Sequence, residues 1–312
     1  MSNLIVPQPF CDQVDGSPNF DGTTTVLGLA PSSSVYTLNA NVFADTITIR
    51  TGVRVAAGQY AIMCRKLVIE SGAFLSANGN NATGATAGAA ITSAGYLGWA
   101  AGGGGAGVSR TTVGSTNGNN GSGSGGANVA GTGGNGGTGG AGVAGTGNAS
   151  AVAVANQFRF WRSPQFAALG WKMPPTSTNT AFTLINGGGG GGSGGIEITA
   201  QSGVLALTGG AGGGAGGLLY FSCGILQNAG TIEALGGNGS NATTNVGITG
   251  TGGGGGGGAG GAIHATVQQI ASLGTFNVSG GTGGTGVGTG ATINGVNGTV
   301  GTLALFVRGE AV

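Results

Sequence analysis

GGAGGGAGGLLYFSCGILQNAGTIEALGG, residues Gly209–Gly237, is the stretch that decides the fold of this 312-residue chain. It joins a glycine run to the mostly apolar run Leu218–Cys223, a turn, and the short alternating strand Gly230–Leu235. The glycine runs Gly187–Gly195 and Gly252–Gly261 also lead into short apolar strands. An internal repeat of this kind predicts stacked similar modules rather than one irregular globule.

Glycine runs of this length have two interpretations. They are commonly flexible linkers. Alternatively, they form polyproline II-like helices with three residues per turn, whose main-chain groups bond neighbouring helices that approach closely because glycine has no Cβ. The composition favours the ordered interpretation, because 39% of the residues are hydrophobic, 5% are charged, and no Asp, Glu, Lys or Arg occurs from Ala234 through Val307. Disordered segments combine low hydrophobicity with high charge instead.

The segment after residue 45 has the alternation typical of β-strands. Thr46–Ile49 alternates, Ile62 and Cys64 fall on one face, and Leu67 and Ile69 follow after a phase slip. Glycines punctuate these strands at short intervals, as in solenoids and small sheets. The sequence therefore predicts an all-β chain, in which a short-strand β-solenoid or sheet is combined with a bundle of polyglycine, polyproline II-like helices, with little or no α-helix.

The composition also predicts two parts of the chain. Residues 1–45 carry four of the eight acidic residues and four of the seven prolines, which indicates an extended, turn-rich segment. We interpret it as an N-terminal attachment arm, an interpretation compatible with a cap over the first coil of the body. Residues 46–312 form the glycine-rich repeat body, with an aromatic insertion at about residues 151–182 and a terminal strand at Thr302–Val307 that closes the sheet.

The insertion at residues 151–182 places aromatic side chains beside cationic ones, a combination in which protein interfaces are enriched. A satellite core beneath a loop is the alternative. Tyr96 and Trp99, isolated among small residues, are either core anchors or exposed tips. The candidate partner-binding or receptor-binding residues are Phe158, Arg159, Phe160, Trp161, Arg162, Trp171, Lys172, Tyr96 and Trp99.

The sequence predicts no catalytic, cofactor-binding or metal site, and we expect no enzyme. His264 is the only histidine of the chain, and a lone histidine is more often packed or exposed than catalytic. Glu197 and Glu233 each lie on a short strand, where we expect exposed carboxylates rather than an acid/base pair. Cys11, Cys64 and Cys223 are odd in number and widely spaced, and Cys64 and Cys223 lie in apolar runs, so we expect buried free thiols, with a disulfide as the alternative. One histidine and three scattered cysteines do not supply the four suitably spaced ligands of a zinc site.

The charge pattern limits the partners. A formal net charge of +1 without a basic patch argues against nucleic acid and anionic membrane surfaces. No apolar stretch approaches the roughly 18 residues of a membrane span, so no membrane insertion is expected. The N-terminus lacks the pattern of a signal peptide, which predicts synthesis in a cytoplasm without processing.

The strand and glycine runs together resemble a known class of proteins. Runs such as DTITIRTGVRVAAGQYAIMCRKLVIESGAFLSANGN and GGGGGGGAGGAIHATVQQIASLGTFNV are similar to the glycine-rich structural proteins of tailed bacteriophages, over roughly residues 46–301. The glycine tracts also resemble the polyglycine-helix sandwich in tail-fibre tip adhesins of T-even-like phages. The resemblance covers a pattern of strands and glycine tracts and includes no catalytic motif.

The resemblance implies a function and a set of partners. It implies a virion-surface protein made in the host cytoplasm, whose N-terminal arm binds other virion proteins and whose loops bind a host surface receptor, with a homo-oligomer left open. The alternative within this class is a capsid or tail decoration protein that does not bind the host. A further alternative from another class is an ice-binding protein, since flat polyglycine bundles can present regular surfaces.

Overall fold

The computed structural model describes residues 14–58, 60–91, 101–120, 190–201, 206–244, 248–288 and 294–307. Within these residues the chain is all-β, in parallel and antiparallel sheets, and contains no helix, which confirms the predicted fold class at this level. In this part of the chain there is accordingly no helix long and apolar enough to cross a membrane.

Two parallel sheets form one end of the molecule, which we call the two-sheet end. The six-stranded sheet contains, in spatial order, β1 (Asn19–Phe20), β3 (Val42–Ile49), β5 (Ile62–Ile69), β11 (Leu218–Asn228), β15 (Ala262–Ser272) and β17 (Thr302–Val307). The five-stranded sheet contains β2 (Val35–Thr37), β4 (Arg54–Ala56), β6 (Phe74–Ser76), β12 (Thr231–Glu233) and β16 (Thr275–Asn277).

The chain alternates between these two sheets. A long strand of the six-stranded sheet is followed by a tight turn and a short strand of the five-stranded sheet, as in β3–β4, β5–β6, β11–β12 and β15–β16. Gly52, Gly72 and Gly274 occupy turns with φ of +76°, +73° and +59°, a left-handed conformation that glycine adopts without steric cost. Apolar side chains of both sheets, among them Leu75 and Phe221, are fully buried between them.

The phase slip predicted in the second long strand is present in the structure. In β5, Ile62 and Cys64 are buried, two residues then face outward, and Leu67 and Ile69 are buried again. β3 has the same slip at Asp45 and Thr46. The slip therefore sets polar side chains of neighbouring strands side by side on the outer face.

Residues 14–38 cover the first long and short strands. Phe20 and Tyr36 are almost completely buried, with their rings edge to face and 5.0 Å apart. The Tyr36 hydroxyl donates to the carbonyl oxygen of Thr24 at 2.7 Å, which fixes the intervening turns. This segment is therefore integral to the core, whereas its role in attachment stays a prediction.

Glycine-rich segments that are neither strands nor helices connect the pairs of long and short strands. In the central segment, residues 209–217, all nine consecutive N–H groups donate to main-chain carbonyl oxygens, and every third one donates to the same neighbouring segment. The acceptors, from residue 209 to residue 217, are Val108, Gly253, Gly84, Gly105, Gly256, Asn80, Gly102, Ala259 and Ala77, at 2.7 to 3.2 Å. The carbonyl groups of Gly210 and Gly213 accept from a further segment, residues 190–195.

These contacts require glycine at the central positions. A Cβ atom on Gly212 would overlap the carbonyl oxygen of Gly191, and one on Gly213 would overlap that of Gly237. Relief would require the backbones to move apart, which would lengthen the hydrogen bonds between them. Glycine is therefore selected here by close main-chain approach and not by flexibility.

Asparagine side chains cover the outer main-chain groups of the glycine-rich segments. The Oδ1 atoms of Asn238 and Asn241 accept from the N–H groups of Thr282 and Thr285, each at 2.8 Å. Asn297 Oδ1 accepts from another N–H of the same segment in the same way. Side-chain amides of the adjacent segments thus accept from the main-chain N–H groups of residues 282, 283 and 285.

The prediction that all three glycine runs begin equivalent repeat units is wrong for the run at residues 187–195. Two glycine segments lead into a long–short pair at the two-sheet end, β11–β12 and β15–β16, as the sequence predicts. The segment at residues 190–195 runs antiparallel to residues 209–217, because Gly194 donates to Gly210 while Gly191 donates to Gly213. The strand that follows Gly195 therefore lies at the opposite end of the molecule, where it cannot join the long strands.

Candidate functional site at the turn end

Two small antiparallel sheets lie at the end of the glycine-rich segments opposite the two-sheet end, and we call this region the turn end. One sheet consists of β7 (Ser109–Arg110), β10 (Leu207–Thr208) and β13 (Thr243–Thr244), and the other of β8 (Gly114–Thr116), β9 (Ile196–Gln201) and β14 (Ile248–Gly252). Main-chain bonds from Gly209 to Val108 and from Gly210 to Gly253 align the segments that enter these strands. The strands of both sheets therefore meet at this end of the glycine-rich segments.

A small apolar cluster supports the turn end. Ile196, Ile198 and Leu207 are fully buried, and Val108 and Val287 pack against them. These side chains come from segments that are distant in sequence and adjacent in the glycine-rich part of the fold. The cluster fixes the strands that carry the exposed connections, which is the arrangement expected of a binding surface on a supported scaffold.

The connection between β7 and β8 is organised by Arg110. Its guanidinium donates to the carbonyl oxygens of Thr112 (2.9 Å), Val113 (3.2 Å) and Ser115 (2.8 Å), and also to Thr116 Oγ1 (3.1 Å). These bonds hold the connection in one shape and leave the Val113 side chain 57% exposed at its tip. Arg110 therefore has a structural role here, because its guanidinium donors are used within this connection.

Apart from Glu197, which is half-buried on β9, the rest of the described turn-end surface is uncharged and rich in hydroxyl groups. Thr208 Oγ1 bonds Ser109 Oγ at 3.2 Å, and Thr199 Oγ1 donates to the carbonyl oxygen of Thr249 at 3.1 Å. Exposed hydroxyl groups can both donate and accept hydrogen bonds. These hydroxyl groups are suited to hydrogen bonding a polar ligand, and Glu197 is the one carboxylate among the described residues of the turn end.

All nine sequence-predicted binding residues lie outside the described residues, in segments 92–100 and 121–189. The points where these segments join the described chain differ. Ile91 and Ala101, which flank residues 92–100, pair with each other. They lie near the two-sheet end, because a Cβ on Gly217, the residue before β11, would contact Ile91 Cδ1. The described residues that flank 121–189 meet midway along the glycine-rich segments, where the Asn119 N–H donates to Ser193 Oγ at 2.6 Å. Neither junction belongs to the turn end.

The prediction of an exposed Glu233 is wrong. Glu233 is 4% exposed, forms an ion pair with Arg54, and accepts a hydrogen bond from Asn78 Nδ2 at 2.6 Å. Arg54 lies on a strand 179 residues earlier in the chain and also packs over the Phe74 ring at 4.4 Å. Parallel pairing of distant strands brings these groups together, and the position of Glu233 on a short strand contains no sign of it.

Two further titratable groups are buried in the six-stranded sheet. His264 lies between the rings of Tyr220 and Phe306, with centroids 5.5 and 5.1 Å away, and burial lowers the pKa of His264 to about 4. Burial raises the pKa of the Cys223 thiol to about 12. Cys64 and Cys223 are buried free thiols on adjacent strands, as predicted.

The described residues contain no group of three or more His, Cys, Asp or Glu side chains that could hold a metal ion. No protein-family model, curated protein or solved structure matches this chain. Functional assignment therefore depends on the geometry and chemistry of the molecule itself.

Proposed function

We propose that the glycine-rich segments form a bundle of polyproline II-like helices, capped at one end by a short β-solenoid made of the long–short strand pairs. The bundle is supported by the rotation of hydrogen bonds along residues 209–217, because a helix with three residues per turn presents every third N–H to the same neighbour. The solenoid is supported by the regular alternation of the chain between two parallel sheets.

We infer that the chain is a non-catalytic structural protein of a bacteriophage particle, displayed on its surface as a tail-fibre adhesin or spacer. The observation that carries this proposal is the hydrogen-bonded glycine region between two different ends. One end has a large side-chain core, and the other has two small sheets whose described surface is rich in hydroxyl groups. A stiff body that holds loops away from its base fits adhesion or spacing better than catalysis.

Attachment through the N-terminal arm is tested by deleting residues 1–13. The longer deletion of residues 1–45 would remove Phe20 and Tyr36 from the core, so loss of incorporation would then reflect unfolding. We expect the shorter variant to keep its thermal unfolding midpoint and to be absent from purified particles. Particles that incorporate it at the normal level would contradict attachment through these residues.

Host binding and decoration differ in their effect on adsorption. We expect the double change Trp161→Ala with Trp171→Ala, or the single change Val113→Asp at the turn end, to reduce adsorption of particles that carry normal amounts of the protein. Unchanged adsorption for both variants would favour the decoration alternative. Particles that lack the protein but adsorb normally would also exclude an adhesin role.

A further inference from the structure

The last part of the described chain exposes an unusual amount of apolar surface. Nine large hydrophobic side chains of the described residues are exposed, and five of them lie between residues 296 and 307. These five are Val296, Val300, Leu303, Phe306 and Val307, with 40 to 66% of their surface exposed. They cluster on the final layer of the body, where apolar exposure of this kind marks an interaction surface.

The same layer has an open sheet edge. β17 pairs with β15 on one side and is the last strand of the six-stranded sheet. Along a parallel strand, successive residues direct their main-chain N–H and C=O groups alternately toward one neighbouring strand and away from it. Thr302 donates to the carbonyl oxygen of Gly261, so the main-chain groups of Leu303, Leu305 and Val307 point away from β15. Three donors and three acceptors on the strand therefore face outward in line.

The other edges of these two sheets are short or follow a proline, whereas no described residue protects this one. β1 has two residues and follows Pro18, which has no N–H to donate, and β2 and β16 have three residues each. β17 has six residues, TLALFV, with no charge and no proline. A long, charge-free edge strand without protecting residues is a template for pairing with another strand.

We propose that this face binds a second copy of the chain, through antiparallel pairing of the two β17 strands across a two-fold axis. The outward-facing residues then meet as Leu305 with Leu305 of the other copy, and Leu303 with Val307 in both directions. Each pair exchanges two main-chain hydrogen bonds. On the opposite face of the strand, Phe306 packs over Ala304 of the other copy.

The absence of charge favours a second copy over a different partner. At a two-fold interface the same surface contacts itself, so any charge near the axis meets its own like charge. The chain has no Asp, Glu, Lys or Arg from residue 234 through residue 307, so the described part of this face brings no like charge to the axis. A head-to-tail contact would instead have to use the short β1 edge next to Pro18.

The association is tested by measuring the mass of the 312-residue chain in solution by sedimentation equilibrium. We expect twice the 29.2 kDa of one chain at micromolar concentration. Val307→Lys should weaken the dimer at least tenfold without changing the circular dichroism spectrum. The matched change Val113→Lys, at another exposed valine, should leave the mass unchanged. A monomeric wild type, or a Val307→Lys variant that dimerises as tightly as wild type, would overturn the proposal.

The register is tested by crosslinking in a Cys11→Ser background. Ala304→Cys and Phe306→Cys chains should form a disulfide-linked dimer on oxidation when they are mixed. Each variant alone should form at least tenfold less disulfide-linked dimer. In the proposed register, residue 304 lies opposite residue 306 of the other copy, whereas two residues 304, or two residues 306, are farther apart than the roughly 7 Å between Cα atoms that a disulfide allows. Equal crosslinking of either variant alone would exclude this register, and a trimer in the mass measurement would exclude the two-fold axis.

Discussion

The two-sheet end and the glycine-rich region are stabilised in opposite ways. At the two-sheet end, side chains such as Phe221 and Leu75 fill the space between sheets, and their removal from water drives the packing. In the central glycine segment almost no side chains are present, and nine consecutive N–H groups bond neighbouring main chains. One region depends on apolar side chains, and the other depends on their absence.

This difference has an energetic consequence. A main-chain hydrogen bond contributes only about 1 kcal/mol net, whereas a buried group left without its partner costs about 1–3 kcal/mol. Glycine also loses more conformational entropy on folding than any other residue. The glycine region is therefore stable only when its bonds form together, so one misplaced atom should disturb many of them.

The largest expected effect is that of a side chain inserted into the central glycine segment. Gly213→Val should prevent folding or lower the free energy of unfolding by more than about 4 kcal/mol, because its Cβ would overlap the main chain at Gly237. Urea unfolding followed by circular dichroism measures this. Ala211→Gly, which removes a methyl group nearby, should cost no more than about 1 kcal/mol. Equal stability of Gly213→Val and wild type would contradict close main-chain packing.

A deletion in the side-chain core should have a comparable or slightly smaller effect. Phe221→Ala should lower the free energy of unfolding by about 3–5 kcal/mol, because it leaves a cavity between the sheets. Leu273→Ala, at a side chain that is 47% exposed, serves as the control and should cost less than about 1 kcal/mol. If the two changes had the same effect, the two sheets would not enclose a close-packed core.

His264 should make the two-sheet end sensitive to acid. The pKa of His264 is lowered to about 4 in the folded chain and has its ordinary value of about 6.5 in the unfolded chain. The unfolded state therefore gains protons first as the pH falls, and stability is lost between pH 6.5 and pH 4, by about 3 kcal/mol in all. Thermal unfolding midpoints across this range measure the loss, and His264→Phe should remove it. A wild type whose midpoint does not change between pH 7 and pH 4.5 would contradict a neutral buried imidazole.

The smallest expected effect concerns a side chain that joins glycine segments. Ser240 Oγ donates to the carbonyl oxygen of Gly84 at 2.5 Å and accepts from the Ala211 N–H at 2.8 Å. Ser240→Ala should lower the free energy of unfolding by about 1–2 kcal/mol. Ser279→Ala, at an exposed serine, should change it by less than about 0.5 kcal/mol. Equal effects in urea titrations would show that the bridge contributes nothing.

The sequence predicted strand positions correctly where one periodic pattern decides the structure. The alternation with a phase slip located β5, and the apolar run at residues 302–307 located the edge strand β17. The sequence does not show that residues 190–195 are antiparallel to the central segment, because a glycine tract contains no pattern that indicates chain direction. The burial of Glu233 depends on Arg54 and was equally inaccessible.

The asparagine positions are a signal that the sequence contains and that was missed. Asn238 and Asn241, and likewise Asn294 and Asn297, are three residues apart, which equals the repeat of the hydrogen bonds between segments. Such spacing beside a glycine tract would have indicated an ordered surface row. The aromatic residues proposed from the sequence as binding residues lie outside the described residues. The turn end was not predicted, because its strands are distant in sequence and are brought together only by the pairing of the glycine segments.

Main-chain hydrogen bonds between glycine segments hold the body together, and this arrangement can be measured in solution. Amide hydrogen exchange of the full chain tests it most directly, with residues 209–217 compared with the exposed connection at residues 111–113. We expect exchange at residues 209–217 to be slowed to the level of β11, while residues 112 and 113 of that connection exchange rapidly. Exchange at residues 209–217 as fast as in an unfolded chain would contradict it.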